Sequence, residues 1–144
     1  MNKKNIYLIC VGKLKSTPFK NTEKRILYKT NNNYNVNIIE IESEKNDKLQ
    51  RVSEIEKIKE KEALRILSSI PKNTYIVTLE IKGKKIKSIK GIIDEIDRDI
   101  CFIIGGSVGL SQKVSNLSNK KISFSDMTFP HALIRLIMLE QINS

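Results

Sequence analysis

Apolar and polar positions follow two rhythms along this chain, and the rhythms alternate five times. Asn5–Val11 (NIYLICV) is a nearly unbroken apolar run with β-branched and aromatic residues, the pattern of a buried parallel-type strand. Gly12 closes it, a helix is expected from Pro18 to about Thr30, and Asn31–Asn35 (NNNYN) reads as a polar turn. Val36–Glu42 alternates at its ends, as a second strand nearer an edge would. From about Leu49 to Ile70, Leu49, Val52, Ile55, Ala63, Ile66, Leu67 and Ile70 recur at helical spacing until Pro71. The other face of this helix carries Glu54–Lys57, Glu56–Lys59 and Glu62–Arg65. These read as solvated pairs, each worth about 0.2–0.5 kcal/mol. Thr74–Ile81 predicts a third strand, and Ser88–Asp97 a helix with Ile89, Ile92, Ile93 and Ile96 inward. Cys101–Ile104 predicts a fourth strand, followed by a glycine turn (Gly105, Gly106, Gly109) and a short helix, Ser111–Leu117. A fifth strand, Lys121–Phe124, leads through a loop to a last helix from His131 to about Asn143.

Alternation of this kind predicts one α/β domain over residues 1–144, with a mostly parallel sheet flanked by helices. Loops at the carboxyl ends of parallel strands face outward together and form a ligand crevice. A plain turn needs one glycine, whereas Gly105, Gly106 and Gly109 fall within five residues and would let a ligand approach bare backbone. The crevice is therefore placed between that turn and the loop before Pro130. The last helix is apolar on nearly every side, so it should be covered on two sides. Its own sheet can cover one, and a symmetric homodimer is expected to cover the other, with Ile137 and Met138 as probes of that seam.

The formal charge of +10 suggests an anionic partner such as nucleic acid. The chain also holds 24 Ile, 21 Lys and 13 Asn, a usage that AT-rich codons alone would produce. Position is the sharper signal. Lys13 and Lys15 follow the first strand, and Lys82, Lys84 and Lys85 follow the third, in loops that share the crevice edge. These five are the candidate RNA-binding residues. No run approaches the ~20 apolar residues of a membrane span. With no signal-peptide pattern at the N-terminus, a cytoplasmic location is expected. Cys10 and Cys101 sit in apolar strands as small buried hydrophobes, and a single histidine without Cys-x-x-Cys leaves no expected metal site.

The sequence lacks the phosphate-loop pattern G-x-x-x-x-G-K-[ST]. A dinucleotide fingerprint is approached by Gly106 and Gly109, with Ile104 where its first glycine belongs and Asp126 where a ribose-binding acid would fall. The helix between them is too short for a normal unit. No nucleophile–base pair stands out, so the chemistry open to the crevice is positioning of a reactive cofactor against a substrate. His131, the one imidazole, lies in the first turn of a helix, where the dipole disfavours a charged ring. It reads as a neutral proton acceptor or as a structural cap. Arg135, a turn later on an apolar helix, is costly to bury unpaired and should face the crevice or a carboxylate, Glu140 or Asp126.

LEIKGK (Leu79–Lys84), FIIGGSVGL (Phe102–Leu110) and SFSDMTFPHALIRLIMLEQ (Ser123–Gln141) together resemble the RlmH family, small ribosomal RNA methyltransferases of the SPOUT superfamily. VGKLK (Val11–Lys15) and EKIKEKEALRIL (Glu56–Leu67) match as well, so the resemblance covers almost the whole chain. It implies a SPOUT-type α/β fold with a C-terminal trefoil knot, which periodicity could not have shown. It further implies a homodimer that transfers the methyl of S-adenosyl-L-methionine to N3 of a pseudouridine in large-subunit rRNA of the assembled ribosome. Carried onto this chain, the cofactor contacts are Leu79, Gly105 and the loop Phe124, Ser125, Asp126, Met127, Thr128 and Phe129. His131 and Arg135 match a Pro-His-x-x-x-Arg pattern and are the catalytic candidates, for orientation and charge. Family members continue past Glu-Gln with a short Tyr-His-basic tail, whereas this sequence stops at Ile142-Asn143-Ser144. On that reading the knot is shallower and methylation slow. The alternative is a relative that binds cofactor and ribosome with little turnover.

Overall fold

The computed structural model describes residues 3–44, 52–106, 108–125, 127 and 129–143. Five strands, β1 (Asn5–Val11), β2 (Asn35–Ile41), β3 (Tyr75–Lys85), β4 (Ile100–Ile104) and β5 (Lys120–Ser123), form one sheet in the order β2-β1-β4-β3-β5. Every pairing in it is parallel. The helices are α1 (Thr17–Thr30), α2 (Val52–Ser69), α3 (Ile89–Glu95), α4 (Gln112–Leu117) and α5 (His131–Asn143). Serines set three of their starts: the side chains of Ser16, Ser88 and Ser111 accept from backbone N–H groups at the N-termini of α1, α3 and α4.

Alternate residues of the central strands feed two cores. Ile6, Leu8, Ile100 and Phe102 face α1, α3 and α5, where Ile89, Ile93, Met138, Leu139 and Ile142 meet them. Ile9, Val11, Cys101 and Ile103 face α2 and α4 through Ala63, Ile66 and Val114. Strands buried on both faces need apolar residues at every position, which is why β1 and β4 read as unbroken runs. β1 connects toward β2 on one side, while β4 connects past β3 to β5 on the other. The exits of β1 and β4 therefore flank the point where the winding direction reverses, the usual ligand crevice of such sheets.

Three expectations change. First, Lys82, Lys84 and Lys85 lie within β3, not in a loop after it. The ladder shifts register, with Leu79 and Lys84 both partnering Ile122, so residues 80–83 form a bulge that ends with Gly83 packed on the Ile122 backbone, and pairing resumes at Lys84–Lys85. Second, Glu62 is not on a solvated face; it is 4 % exposed beneath Gly106, and Arg65 reaches past it to the Glu44 carboxylate and the Glu42 carbonyl. Third, α5 is covered largely within the chain, because α1 and α3 pack on it beside the sheet. Met138 is fully buried there, leaving Leu133 exposed and Ile137 half-buried. The expected start of α2 at Leu49 lies outside the described residues.

Candidate active site at the carboxyl edge of the sheet

Two cavities open beside each other at this edge. The first, about 290 Å³, lies between the exits of β4, β3 and β5. Leu79, Gly105, Phe124, Ser125, Met127 and Phe129 all line it, so every described member of the expected cofactor set meets at one place. Asp126 and Thr128 lie outside the described residues. The walls are mostly apolar, as a pocket for a nucleoside-sized ligand should be. Gly105, Gly106 and Gly109 line its floor, and the turn closes tightly on itself: a Cβ on Gly105 would stand 3.0 Å from the Leu110 side chain and 3.1 Å from the carbonyl carbon of Gly109. Gly109 holds φ at +81°, a left-handed conformation that glycine adopts without strain, and its N–H donates to the Gly106 carbonyl at 3.0 Å. Across the cavity, the Ser123 hydroxyl donates to the Ser125 carbonyl and the Met127 N–H donates to the Ser125 hydroxyl. That loop is thus fastened by its own serines.

The second cavity, about 270 Å³, lies between the exits of β1 and β4, at the reversal of winding. Gly12, Lys13, Leu14, Lys15, Ser43, His131 and Arg135 line it. Ile104, Gly106 and His131 belong to both cavities, so the imidazole stands where the two meet. Partial burial of the ring lowers its pKa from the ordinary 6.5 and favours the neutral form near neutrality. This second chamber was not legible in the sequence, because it is framed by strands that are neighbours in space but far apart in the chain.

Arg135 is buried and fully engaged. Its Nε and Nη2 donate to the two carboxylate oxygens of Glu23 on α1, and its Nη1 donates to Glu40 Oε2 on β2 at 2.7 Å. These acids, 112 and 95 residues away, stand in the place expected for Glu140, and the other expected partner, Asp126, lies outside the described residues. Glu40 Oε2 also accepts the Leu14 N–H at 3.1 Å, which ties the clamp to the Lys13–Lys15 rim. Burial alone would raise the Glu40 carboxyl, but the bonds from Arg135 and Leu14 and the charges of Arg135 and Lys13 outweigh it and lower its pKa. The cluster holds one positive and two negative groups, so Arg135 fixes geometry and has little charge to offer an anion. Burial pushes the Cys10 and Cys101 thiols up to about 12, so neither is a thiolate at neutral pH.

Lys13 and Lys15 are exposed at the second cavity, and Lys82, Lys84 and Lys85 are exposed on β3. The sheet order places β4 between β1 and β3, so the two lysine groups stand on either side of the β4 exit and its glycine turn. Sequence reasoning missed Glu80, which lines the first cavity from the β3 bulge.

A family model described as "Predicted SPOUT methyltransferase" matches residues 4–143. A relative from Halothermothrix orenii, named ribosomal RNA large subunit methyltransferase H, is 41 % identical over 95 % of this chain and 90 % of its own length. One of the same name from Clostridium acetobutylicum is 42 % identical over 96 % and 91 %. Among solved structures, an rRNA-methyltransferase described as probable from Porphyromonas gingivalis superposes with a TM-score of 0.57 at 14 % identity, over 98 % of this chain and 67 % of that one. A tRNA methyltransferase from Aquifex aeolicus gives 0.56 at 12 %, over 99 % and 69 %. At such identities the two structures speak to the fold alone.

Proposed function

This chain belongs to the RlmH family of SPOUT methyltransferases, and from that premise we propose that it methylates N3 of a pseudouridine in large-subunit ribosomal RNA, drawing the methyl from S-adenosyl-L-methionine. The observation that carries the reading is the meeting of two chambers at His131, one apolar and glycine-floored, the other rimmed by lysines. The first fits an adenosine thioether. Its backbone groups at Gly105, Phe124 and Ser125 can read adenine, while Leu79, Met127 and Phe129 offer apolar contact to ring and sulfur. When bound, the cofactor supplies an electrophilic methyl group. The second chamber fits a base swung out of its strand, with Lys13 and Lys15 at hand for the flanking phosphates.

N3 of pseudouridine must lose its proton to accept a methyl group, so the site needs an acceptor placed between donor and base. His131, which lines both cavities and whose pKa partial burial lowers, is the acceptor of this reading. Arg135 acts one step back: through Glu40 it fixes the Leu14 backbone and hence the lysine rim. Lys82, Lys84 and Lys85 extend the basic surface along β3 toward the rRNA of the assembled ribosome. The exposed Leu133 and half-buried Ile137 on α5, beside the shared wall, are the surface proposed for the second copy of a homodimer.

Calorimetry with S-adenosylhomocysteine and NAD, followed by methyl transfer to ribosomes and base-resolved mass spectrometry, tests this. Binding of the homocysteine product but not NAD, with label on N3 of a pseudouridine, is expected. Tight NAD binding without an adenosylhomocysteine signal would overturn the cofactor, and label on another atom would overturn the substrate.

A further inference from the structure

We propose that Glu80 recognises the vicinal hydroxyls of the cofactor's ribose and so sets the site's preference for a ribonucleoside; this rests on the reading of the first cavity as the S-adenosylmethionine site.

Glu80 stands at the point where β3 leaves its pairing with β5. Residues 80–83 leave the β3–β5 ladder between Leu79 and Lys84, and Glu80, next to Leu79, becomes part of the cavity wall. Its side chain lies on the same strand face as Thr78, toward α4, and there the carboxylate is fixed. Thr78 Oγ1 donates to its Oε2 at 2.6 Å, and Ser115 Oγ lies 2.8 Å from Oε1 and 3.0 Å from Oε2. Both anchoring residues are buried, at 0 % and 6 % exposure, so the carboxylate is held from behind by groups that do not move with solvent.

Hydrogen-bond capacity decides what it can hold. A carboxylate offers about four acceptor positions. The two hydroxyl hydrogens of Thr78 and Ser115 can fill two of them, which leaves two acceptor positions for donors in the cavity. Among the described residues no lysine or arginine forms an ion pair with Glu80. The other polar side chains of the lining are Ser123, Ser125 and His131. The serines are engaged in fastening the β5–α5 loop, and His131 stands at the wall shared with the second cavity. Glu80 is thus the one carboxylate among the described lining residues of an otherwise apolar chamber. An adenosine presents adenine edges that backbone groups can satisfy and a pair of adjacent O–H donors that they satisfy less readily. Two donors side by side match two vacant acceptor positions on one rigid carboxylate, and burying them unmatched would be costly.

The test compares S-adenosylhomocysteine, its 2′-deoxy analogue and 5′-methylthioadenosine by calorimetry on the wild-type chain and on Glu80→Gln. The amide oxygen of Gln can still accept from Ser115 and Thr78, and an unchanged thermal midpoint would show that the fold is kept. The wild-type chain should bind S-adenosylhomocysteine at least about tenfold more tightly than the 2′-deoxy analogue. In Glu80→Gln that ratio should fall to about twofold or less, with affinity for 5′-methylthioadenosine reduced in parallel because it keeps the ribose. A variant that discriminates as well as wild type overturns the role of Glu80 alone. So does a variant that loses S-adenosylhomocysteine but keeps 5′-methylthioadenosine, since the carboxylate would then face the amino-acid end. Failure of the wild-type chain to bind S-adenosylhomocysteine overturns the cavity's assignment and this role with it.

Discussion

Replacing Arg135 with Met should be among the most damaging single changes outside the apolar core. The substitution keeps length and apolar packing but removes all the charged donors from two acids. Glu23 is the heavier loss: its side chain is 13 % exposed and both of its oxygens accept from Arg135. Glu40 is 34 % exposed and keeps the Leu14 N–H, so solvent screens much of its share. Breaking a buried pair by removing one partner costs about 3–5 kcal/mol, and the partial exposure of Glu40 points to the lower half of that range. For a chain of this size such a loss lowers the thermal midpoint by roughly 10 °C. Two comparisons separate the electrostatic cause from lost packing. Adding Glu23→Gln to Arg135→Met removes the orphaned charge, so the double variant should be more stable than Arg135→Met alone. The pH dependence has a fixed sign. The folded pKa of Glu40 is depressed, so its stabilising contribution is present above the unfolded value near 4.5 and is lost as pH falls through the lower folded value. The gap between wild type and Arg135→Met should therefore narrow below about pH 4.5. Urea denaturation of the three proteins at pH 7 and pH 4 measures all of this. An Arg135→Met chain within about 1 kcal/mol of wild type at pH 7 would refute the clamp as a structural element.

Three further outcomes are expected. A Cβ on Gly83 would stand 2.6 Å from the backbone carbon of Ile122, so Gly83→Ala should force β3 and β5 apart and cost about 1–3 kcal/mol in urea denaturation. Gly91→Ala, where the nearest atom would be 3.5 Å away inside α3, is the contrasting case and should stabilise by up to about 1 kcal/mol. If His131 accepts the N3 proton, the acid limb of the methylation profile should have its midpoint below 6.5, because burial lowers the imidazole pKa; His131→Asn should abolish that limb, and a midpoint above 6.5 would contradict the assignment. Met138→Lys should unfold the chain, whereas Ile137→Lys should leave it folded but monomeric by light scattering; a folded Met138→Lys would show that the core around α5 has been misplaced.

The strands that the sequence shows best are those buried on both faces. β1 is legible to its end residues because Gly12 stops an unbroken apolar run, and β4 is legible for the same reason. β3 reads short, to Ile81, because Lys82-Gly83-Lys84-Lys85 is polar. There the ladder is held by backbone pairing to the edge strand β5, which asks nothing apolar of the exposed side chains. The order of the strands is not legible, since periodicity carries no information about neighbours. The glycine turn and the loop after β5, whose described residues line one cavity, are legible because their unusual residues are contiguous, and the second chamber is not, because its walls are scattered along the chain. Glu62 shows a signal that was present and misread. It lies seven residues after Ile55 and four before Ile66, on the apolar stripe of α2, and its spacing to Arg65 drew attention to the wrong face. Burial there raises its carboxyl pKa, and its Oε1 has no hydrogen-bond partner among the described residues.

The spacing of His131 and Arg135 has a physical meaning that neither residue shows alone. Four residues apart on α5, they share one face of the helix, and both line the second cavity. They differ in depth by about 6 Å along the axis. His131 opens the helix at the sheet edge, partly exposed, where the two cavities meet. Arg135, a turn deeper, is 5 % exposed, within reach of an acid on α1 and another on β2. The deep residue holds α5 against α1 and the β1 exit, and by doing so it fixes where the shallow one stands relative to Leu14 and the lysine rim. A proton acceptor between a methyl donor and a base must be positioned to a fraction of an ångström. An imidazole at a helix terminus is open to fraying of the first turn, and here the two carboxylates on Arg135 pin α5 one turn behind it. Arg135 is thus bound to Glu23 and Glu40, and the proton-acceptor role proposed for His131 rests on an imidazole anchored from one turn behind.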